Sequence, residues 1–258
     1  MEHTSSDALS AKVRSWKEEE QASFRGWDFS RLTGRWENES LPWEYRDVIE
    51  RFRTDDLDLL DMGTGGGEFL LSLGHPPRRT AVTEGYPPNF RLCLETLAPR
   101  GIEVRFVEED DHLDFPDARF DLVLNRHESF SAEEVRRVLK PGGLFITQQV
   151  GSGNGRDLVA RLLPEFAPPF PENDLDHVIP ALEREGFAVL EQGEIFPPLR
   201  FFDTGAFVYY AKIIEWEFPG FSVDTHLPAL MAIDEEIAAK GFLEGTEHRY
   251  YLVARKDR

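Results

Sequence analysis

The sequence predicts an α/β fold with a doubly wound, mostly parallel sheet of seven strands, and two observations support this. From about residue 57 the chain alternates short apolar runs of strand length with segments that have a helical period. Glycine and proline mark several of the boundaries, at Gly101, at Gly186 and in the run Pro141-Gly142-Gly143. Strands that alternate with helices form parallel sheets with helices packed on both faces.

The apolar runs give the strands in order. They lie at residues 57–62, 80–84, 102–107, 120–125, 144–150, 187–191 and 248–254. Helical periodicity falls at residues 68–73, 89–98, 132–139 and 175–185, and two further helical segments lie at 204–216 and 227–240. We expect the run from Pro141 to Gly143 to stop the third of these helices and Gly186 to stop the fourth.

We expect a single domain over residues 1–258, made of a core and two additions. The core comprises residues 57–150. Residues 1–50, rich in tryptophan, are expected to cover one edge of the sheet. Residues 196–246 form a long, aromatic-rich helical insertion before the last strand. Long insertions often serve as lids or binding elements, and a packed helical layer is the alternative.

Composition and charge restrict the class of protein. The chain has 41% hydrophobic and 30% charged residues, which is typical of a globular protein and not of a disordered one. No apolar run is long enough to cross a membrane, and the polar N-terminal segment does not resemble a signal peptide. The single cysteine, Cys93, has no second cysteine to pair with. We therefore expect a cytoplasmic protein without a membrane partner.

The net charge of −19 argues against nucleic acid as a partner. A polyanion is repelled by such a field unless a local basic patch offsets it. The only candidates are short clusters at Arg78-Arg79, Arg136-Arg137 and Lys140, which we interpret as solvated surface charges. The acidity favours a small or cationic ligand.

A glycine-rich turn follows the first predicted strand. Residues 59–68 read LLDMGTGGGE, with an acid at Asp61 and glycines at Gly63, Gly65 and Gly67. Glycine allows positive φ and lets a ligand approach the backbone, and a helix start beyond it presents free amides. The fingerprint for dinucleotides, G-x-G-x-x-G, would place its third glycine on Glu68. Flanking acids disfavour a pyrophosphate and favour a ligand with an ammonium and a sulfonium; a purely structural turn is the alternative.

A second acid closes the second predicted strand. Glu84 lies 23 residues after Asp61. A carboxylate accepts hydrogen bonds and donates none, so it suits the two hydroxyls of a ribose at this position in a doubly wound fold. The alternative is a surface acid at a strand end.

Residues 57–150 resemble the core of the class I S-adenosylmethionine-dependent methyltransferases, and in particular the methyltransferase type 11 group. The matching segments are LDLLDMGTGGGEFL, AVTEGYPPN, LDFPDARFDLVLNRHE and VRRVLKPGGLFITQQV. The resemblance implies a Rossmann-like sheet whose last strand is antiparallel, with S-adenosyl-L-methionine as cofactor. It assigns the methionine part to Asp61, Gly63, Thr64, Gly65 and Gly67, the ribose to Glu84, and the adenine to Glu109 or Asp110, with Gly85 and Asn125 in the same cofactor site.

The methyl acceptor is expected beyond the fourth strand, where Arg126, His127 and Glu128 follow Asn125. His127 is the candidate base, because the ordinary pKa of histidine is close to neutrality. Glu128 is expected to orient it or to bind a cationic acceptor. A capping or packing role for His127 is the alternative.

The resemblance implies methyl transfer to an O or N atom of a small molecule, without a metal. The Asn-Pro-Pro-Tyr motif of adenine N6 methyltransferases is absent after the fourth strand. An RNA-modifying methyltransferase and a non-catalytic cofactor-binding protein remain alternatives. The glycine spacing disfavours an NAD-dependent oxidoreductase.

Overall fold

A computed structural model describes residues 2–24, 29–108 and 112–258. The chain divides into two compact units. The first, which we call the sheet unit, comprises Leu41–Gly151, Glu172–Ile195 and Arg249–Arg258. The second, which we call the helical unit, comprises Met1–Ser40, Ser152–Pro171 and Phe196–His248. Residues 1–50 are thus shared between the two units, because α2 at Tyr45–Glu50 belongs to the first of them.

The strands and helices are numbered in chain order. The strands are β1 (Trp36–Asn38), β2 (Leu59–Met62), β3 (Thr80–Glu84), β4 (Glu103–Phe106), β5 (Phe120–Arg126), β6 (Leu139–Val150), β7 (Phe187–Ile195), β8 (Pro198–Phe201), β9 (Leu243–Thr246) and β10 (Arg249–Lys256). The α-helices are α1 (Glu2–Glu20), α2 (Tyr45–Glu50), α3 (Glu68–Leu73), α4 (Pro87–Thr96), α5 (Ala132–Val138), α6 (Arg156–Leu162), α7 (Leu175–Arg184), α8 (Thr204–Ile213) and α9 (Leu227–Lys240). None of the helices in the described part of the chain is both long and apolar enough to cross a membrane.

The sheet unit contains a seven-stranded sheet in the order β4-β3-β2-β5-β6-β10-β7. The pairs of β2 with β3 and β5, of β3 with β4, and of β5 with β6 are parallel. β10 runs antiparallel to its neighbours, β6 and β7. The predicted fold class, with an antiparallel last strand, is confirmed.

The central strands are buried on both faces, as in parallel sheets covered by helices. Every residue of β2 and β3 is buried. Successive side chains alternate between two apolar cores: Leu60 and Val123 belong to one, and Leu59 and Leu122 to the other. Each such side chain contributes roughly 1.5–3 kcal/mol through burial. Packing into these cores fixes the position of each strand along its length, and therefore the place where each strand ends.

The connection from α5 to β6 differs from the prediction. The helix ends at Val138 and β6 begins at Leu139, so the Pro141–Gly143 run lies inside the strand and not in a turn before it. The pairing with β5 is irregular here, with a register shift between Phe120 and Leu122. Gly143 is packed so closely that an added Cβ would lie 2.9 Å from the carbonyl oxygen of Lys140. The irregularity accommodates a proline in a strand, which a regular inner strand would not.

The helical unit packs α1, α6, α8 and α9 with a three-stranded antiparallel sheet in the order β1-β8-β9. Its apolar core includes Trp16, Phe201, Phe207 and Leu230. Helix α8 is buried from Thr204 to Ala211, so its tyrosines are part of this core. The two helical segments predicted at residues 204–216 and 227–240 correspond to α8 and α9. The small sheet was not predicted, and the lid role of residues 196–246 stays a prediction.

Candidate active site

The residues singled out by the sequence collect at one edge of the seven-stranded sheet. Strands β2, β3 and β5 are parallel neighbours, so their carboxyl ends at Met62, Glu84 and Arg126 lie at the same edge. In open α/β sheets this is the edge where ligands bind. Glu109 and Asp110, the residues predicted to contact adenine, lie outside the described residues.

The glycine turn after β2 adopts a conformation that requires glycine at three positions. Gly63, Gly65 and Gly67 have φ values of 64°, 62° and 83°. The amide of Thr64 donates to the carbonyl of Thr83 at 3.1 Å, which ties the turn to β3. An added Cβ at Gly65 would meet no atom within 4 Å. The turn is therefore fixed on one side and open to a ligand at Gly65.

The turn also rests on α4. The thiol of Cys93 donates to the carbonyl of Gly65 at 3.1 Å, and burial raises the pKa of the thiol to about 11. A protonated, buried thiol is a packing group.

Glu84 has a role in the turn that the sequence did not indicate. Its Oε2 accepts a hydrogen bond from the amide of Gly65 at 2.7 Å, and its Oε1 accepts one from the amide of Tyr86 at 2.8 Å. A carboxylate offers about four acceptor positions, so about two remain for a ligand. Its neighbour Gly85 closely approaches the residue after β4, because a Cβ there would lie 2.8 Å from the carbonyl oxygen of Val107. Glu84 thus holds the turn and keeps acceptor capacity.

Asp61 and Thr64 place two buried polar side chains at the site. Only 5% of Asp61 is exposed, and this burial raises the pKa of its carboxyl group to about 6, while the charge of Arg126 lowers it. The Thr64 hydroxyl is buried and makes no hydrogen bond of good geometry in the described chain, although it lies close enough to Asp61 to lower that pKa. A cationic ligand group would stabilise the ionised carboxylate.

Asn125 is built into a hydrogen-bond network on β5 and β6. Its Oδ1 accepts from Thr147 Oγ1 at 2.9 Å and from Gln149 Nε2 at 2.5 Å, and its Nδ2 donates to the carbonyl of Ser129 at 3.4 Å. Gln149 Nε2 also donates to the carbonyl of Glu128 at 2.9 Å. The two amide side chains therefore set the path of the chain after β5. The cofactor role assigned to Asn125 stays a prediction.

His127 lies immediately beyond β5 with a φ of +57°, which is uncommon for a residue other than glycine. Its amide donates to the carbonyl of Gln148 at 2.9 Å. The imidazole is accessible to solvent but surrounded by many protein atoms, and desolvation, together with the charges of Arg126 and Arg249, lowers its pKa. His127 is therefore neutral at physiological pH.

The tautomer of His127 follows from its neighbours. Trp43 Nε1 can only donate, and it lies 2.9 Å from Gln148 Oε1, which fixes the orientation of the amide. Gln148 Nε2 then points to His127 Nε2 at 3.4 Å. In the neutral ring Nε2 accepts this long hydrogen bond and Nδ1 carries the proton. Its role as a base stays a prediction.

Glu128 brings a further carboxylate to the glycine turn. It is half-buried, and its side chain covers Gly63 so closely that an added Cβ would lie 2.5 Å from Glu128 Cγ. Three acids, Asp61, Glu84 and Glu128, therefore line the turn. Among the described residues, no group of three or more histidines, cysteines or acids is placed to hold a metal ion.

Comparisons with known proteins agree with this geometry. Residues 60–147 match the family described as "Methyltransferase domain". The chain is 31% identical over 116 residues to the demethylmenaquinone methyltransferase of Thermus thermophilus, a match that spans 41% of this chain and 53% of that protein. The chain thus spans about half the length of this curated relative.

Solved structures share the fold at low identity. The YcgJ protein of Bacillus subtilis superposes with a TM-score of 0.55 at 17% identity, covering 83% of this chain and 98% of that protein. A SAM-dependent methyltransferase of Methanosarcina mazei superposes with a TM-score of 0.50 at 17% identity, covering 81% of this chain and 97% of that protein. Residues 60–147 are thus similar to a methyltransferase domain, and the order of the seven-stranded sheet is that of a fold shared with these structures.

Proposed function

We propose that the protein transfers a methyl group from S-adenosyl-L-methionine to an O or N atom of a small-molecule acceptor in the cytoplasm. One observation supports this above the others: the glycine turn is open at Gly65 and is bordered by the buried carboxylates of Asp61 and Glu84. These groups suit an ammonium, a sulfonium and ribose hydroxyls. They do not suit the pyrophosphate of a dinucleotide, which two nearby negative charges would repel.

The residues present fit each part of this cofactor. Asp61 would hold the ammonium, and the open backbone at Gly65 would lie along the methionine part. Glu84 would accept from the ribose with the acceptor positions that Gly65 and Tyr86 leave. The buried Thr64 hydroxyl has hydrogen-bonding capacity to offer. The resemblance would add Glu109 or Asp110 at the adenine.

When bound, S-adenosyl-L-methionine supplies a methyl group on a sulfonium sulfur, which a lone pair of the acceptor displaces in line. The protein contributes position and exclusion of water. His127 is neutral, so it can accept a proton, but its lowered pKa makes it a weak base. We infer that it suits a neutral amine better than an alcohol, because an amine attacks before it loses its proton. Glu128, beside the turn, would attract a cationic acceptor.

The charge of the chain supports a small molecule as the acceptor. A net charge of −19 disfavours RNA, which is the main rival substrate. The other rival is a protein that binds the cofactor without catalysis. Conversion of S-adenosyl-L-methionine to S-adenosylhomocysteine in the presence of a pool of small metabolites would separate catalysis from binding alone.

Calorimetry of the purified protein tests the cofactor. We expect heat of binding with S-adenosyl-L-methionine and S-adenosylhomocysteine and much weaker binding of NAD. Glu84→Ala should weaken the binding of both sulfur ligands by roughly 1–3 kcal/mol, the usual cost of hydrogen bonds lost to a charged group. Glu95→Ala is the matched control, since Glu95 is an exposed acid on α4. Clear binding of NAD with no response to either sulfur ligand would refute the proposal.

A further inference from the structure

Arg126 stands out among the charged residues of the candidate site. It ends β5 beside His127, and it is exposed. It forms no ion pair and no hydrogen bond with the part of the chain that the structure describes. Some arginines elsewhere in the sheet unit form ion pairs: Arg137 contacts Glu134 at 2.6 Å, and Arg51 contacts Glu191 at 2.6 Å. An unpaired arginine at the ligand-binding edge of a sheet, in a strongly acidic chain, has its donors available for a ligand.

An aromatic ring, and not an acid, holds the Arg126 side chain. Its guanidinium carbon lies 5.0 Å from the ring centre of Phe69, the second residue of α3. The ring of Phe69 in turn stacks on Tyr45 at 5.5 Å, and the Tyr45 hydroxyl lies 3.0 Å from the carbonyl oxygen of Asn125. A cation–π contact positions a guanidinium while leaving its N–H groups free to donate. The guanidinium thus lies over the Phe69 ring with its N–H groups available.

A second arginine shares the same ring. The guanidinium carbon of Arg46 lies 5.9 Å from the centre of Phe69. Arg46 donates to the carbonyl of Ser72 at 2.8 Å, which secures it on α3. Two cations therefore lie at one aromatic side chain, directly after the glycine turn. Two positive charges thus adjoin the three acids on the turn.

Arg126 also lies near Asp61, because Asp61 pairs with Leu124 in the parallel register of β2 and β5, and Arg126 follows Leu124 by two residues on the same face of the sheet. The buried carboxylate of Asp61 and the guanidinium of Arg126 thus lie at the same end of the candidate site. An α-amino acid carries an ammonium and a carboxylate on one carbon, and this pair of opposite charges is complementary to it. A guanidinium binds a carboxylate through two parallel hydrogen bonds, which an ammonium cannot do.

We infer that Arg126 binds the α-carboxylate of the amino-acid part of S-adenosyl-L-methionine, while Asp61 binds its α-ammonium. The inference rests on the proposed function. It assigns Arg126 to the binding of the cofactor and not to the methyl acceptor. Arg46 assists by adding positive charge and by keeping Phe69 in place.

Two ligands and one substitution test the inference. S-adenosylhomocysteine carries the amino-acid part, and 5′-methylthioadenosine lacks it. By calorimetry, Arg126→Gln should bind S-adenosylhomocysteine at least about 10-fold more weakly than the wild type, while its affinity for 5′-methylthioadenosine stays within about twofold. Arg126→Lys should show an intermediate loss, because it keeps the charge without the planar fork. The thermal unfolding of each variant, measured alongside, establishes that it is folded.

Arg255→Gln is the matched control. It makes the same change of charge on β10. In the strand register Arg255 lies opposite Leu144 of β6 and Ala188 of β7, and thus toward the other edge of the sheet. It should leave both affinities unchanged. If Arg126→Gln binds S-adenosylhomocysteine as tightly as the wild type, or loses both ligands equally, the inference is wrong. If the wild type binds neither ligand, the proposed function itself fails.

Discussion

Asp61 makes the stability of the ligand-free protein depend on pH. Its carboxyl group is buried, and its pKa rises from 3.8 to about 6 because burial penalises the ionised form. The folded protein therefore holds the proton of Asp61 between about pH 4 and pH 6, where the unfolded chain has lost it. The free energy of unfolding falls as the pH rises through this window, by on the order of 2–3 kcal/mol.

Asp61→Asn should remove this cost. Without ligand, we expect the variant to match the wild type in stability near pH 4 and to exceed it by on the order of 2–3 kcal/mol at pH 7.5. The same variant should bind S-adenosylhomocysteine more weakly, because the ammonium loses its charged partner. Urea unfolding at both pH values, with calorimetry, measures the two effects. A variant that is less stable than the wild type at pH 7.5 would contradict the assignment.

The sequence predicts where the residues of the site lie in the fold, but not the hydrogen bonds that they form. Asp61, Glu84 and the glycines lie at the expected edge of the sheet, because strand ends and turn residues are local features. The bonds of Glu84 to the amides of Gly65 and Tyr86 were not predicted. The network of Asn125 with Thr147 and Gln149 was missed as well, because such contacts join residues that are distant in the sequence.

At the scale of elements, the glycine turn is shaped by two different requirements. Gly65 needs glycine only for its backbone, since a side chain there would meet no atom within 4 Å. Gly63 needs it also for space, because Glu128 occupies the position of a Cβ. The turn therefore links β2 to the loop after β5, and the two halves of the candidate site depend on each other.

Alanine substitutions in the turn separate these requirements. Gly65→Ala should destabilise the protein by roughly 1–2 kcal/mol through its positive φ alone. Gly63→Ala should cost more, because it adds a clash with Glu128 to the same backbone strain. Replacing Glu128 with glycine in the Gly63→Ala background should recover the difference, since both Cβ and Cγ are then absent. Equal losses for the two single variants, measured by chemical unfolding, would show that Glu128 does not pack on Gly63.

The strands of the large sheet were predicted well, and those of the small sheet were not. Strands β2, β3 and β5 are apolar runs that are buried on both faces, so composition alone reveals them. Strands β8 and β9 have only four residues each, and β8 begins with a proline. Their pairing joins residues more than forty positions apart, as between Phe201 and Leu243, and no periodicity records such a contact.

The two compact units of the molecule are not consecutive in the sequence, because each combines three separate segments of the chain. The helical unit combines an N-terminal segment, a short piece after β6 and the late insertion, each of which is too small for an apolar core of its own. The sequence alone predicts the first and the last as separate additions. Their common core of Trp16, Phe207 and Leu230 joins segments nearly two hundred residues apart, which only the folded structure can show.

Charge is the remaining property of the whole molecule, and it bears on the choice between a small acceptor and RNA. The clusters at Arg78-Arg79 and Arg136-Arg137 and the single Lys140 were the only basic features found in the sequence. In the structure, Arg79 pairs with Asp58 at 3.0 Å, Arg137 with Glu134 at 2.6 Å, and Lys140 with Asp121 at 2.7 Å. Much of the basic charge is therefore neutralised within the protein.

We therefore expect no measurable binding of tRNA or of duplex DNA at physiological salt. Where basic side chains are already paired with acids, few phosphate contacts can release counterions, and such contacts supply most of the non-specific affinity for nucleic acids. Gel-shift titrations to micromolar protein at 50 and 200 mM salt measure this, with a basic RNA-binding protein as the positive control. Lys140→Gln, which removes a cation already paired with acids, should change nothing. A shift at 50 mM salt that weakens at 200 mM would reveal a basic surface and favour RNA as the substrate.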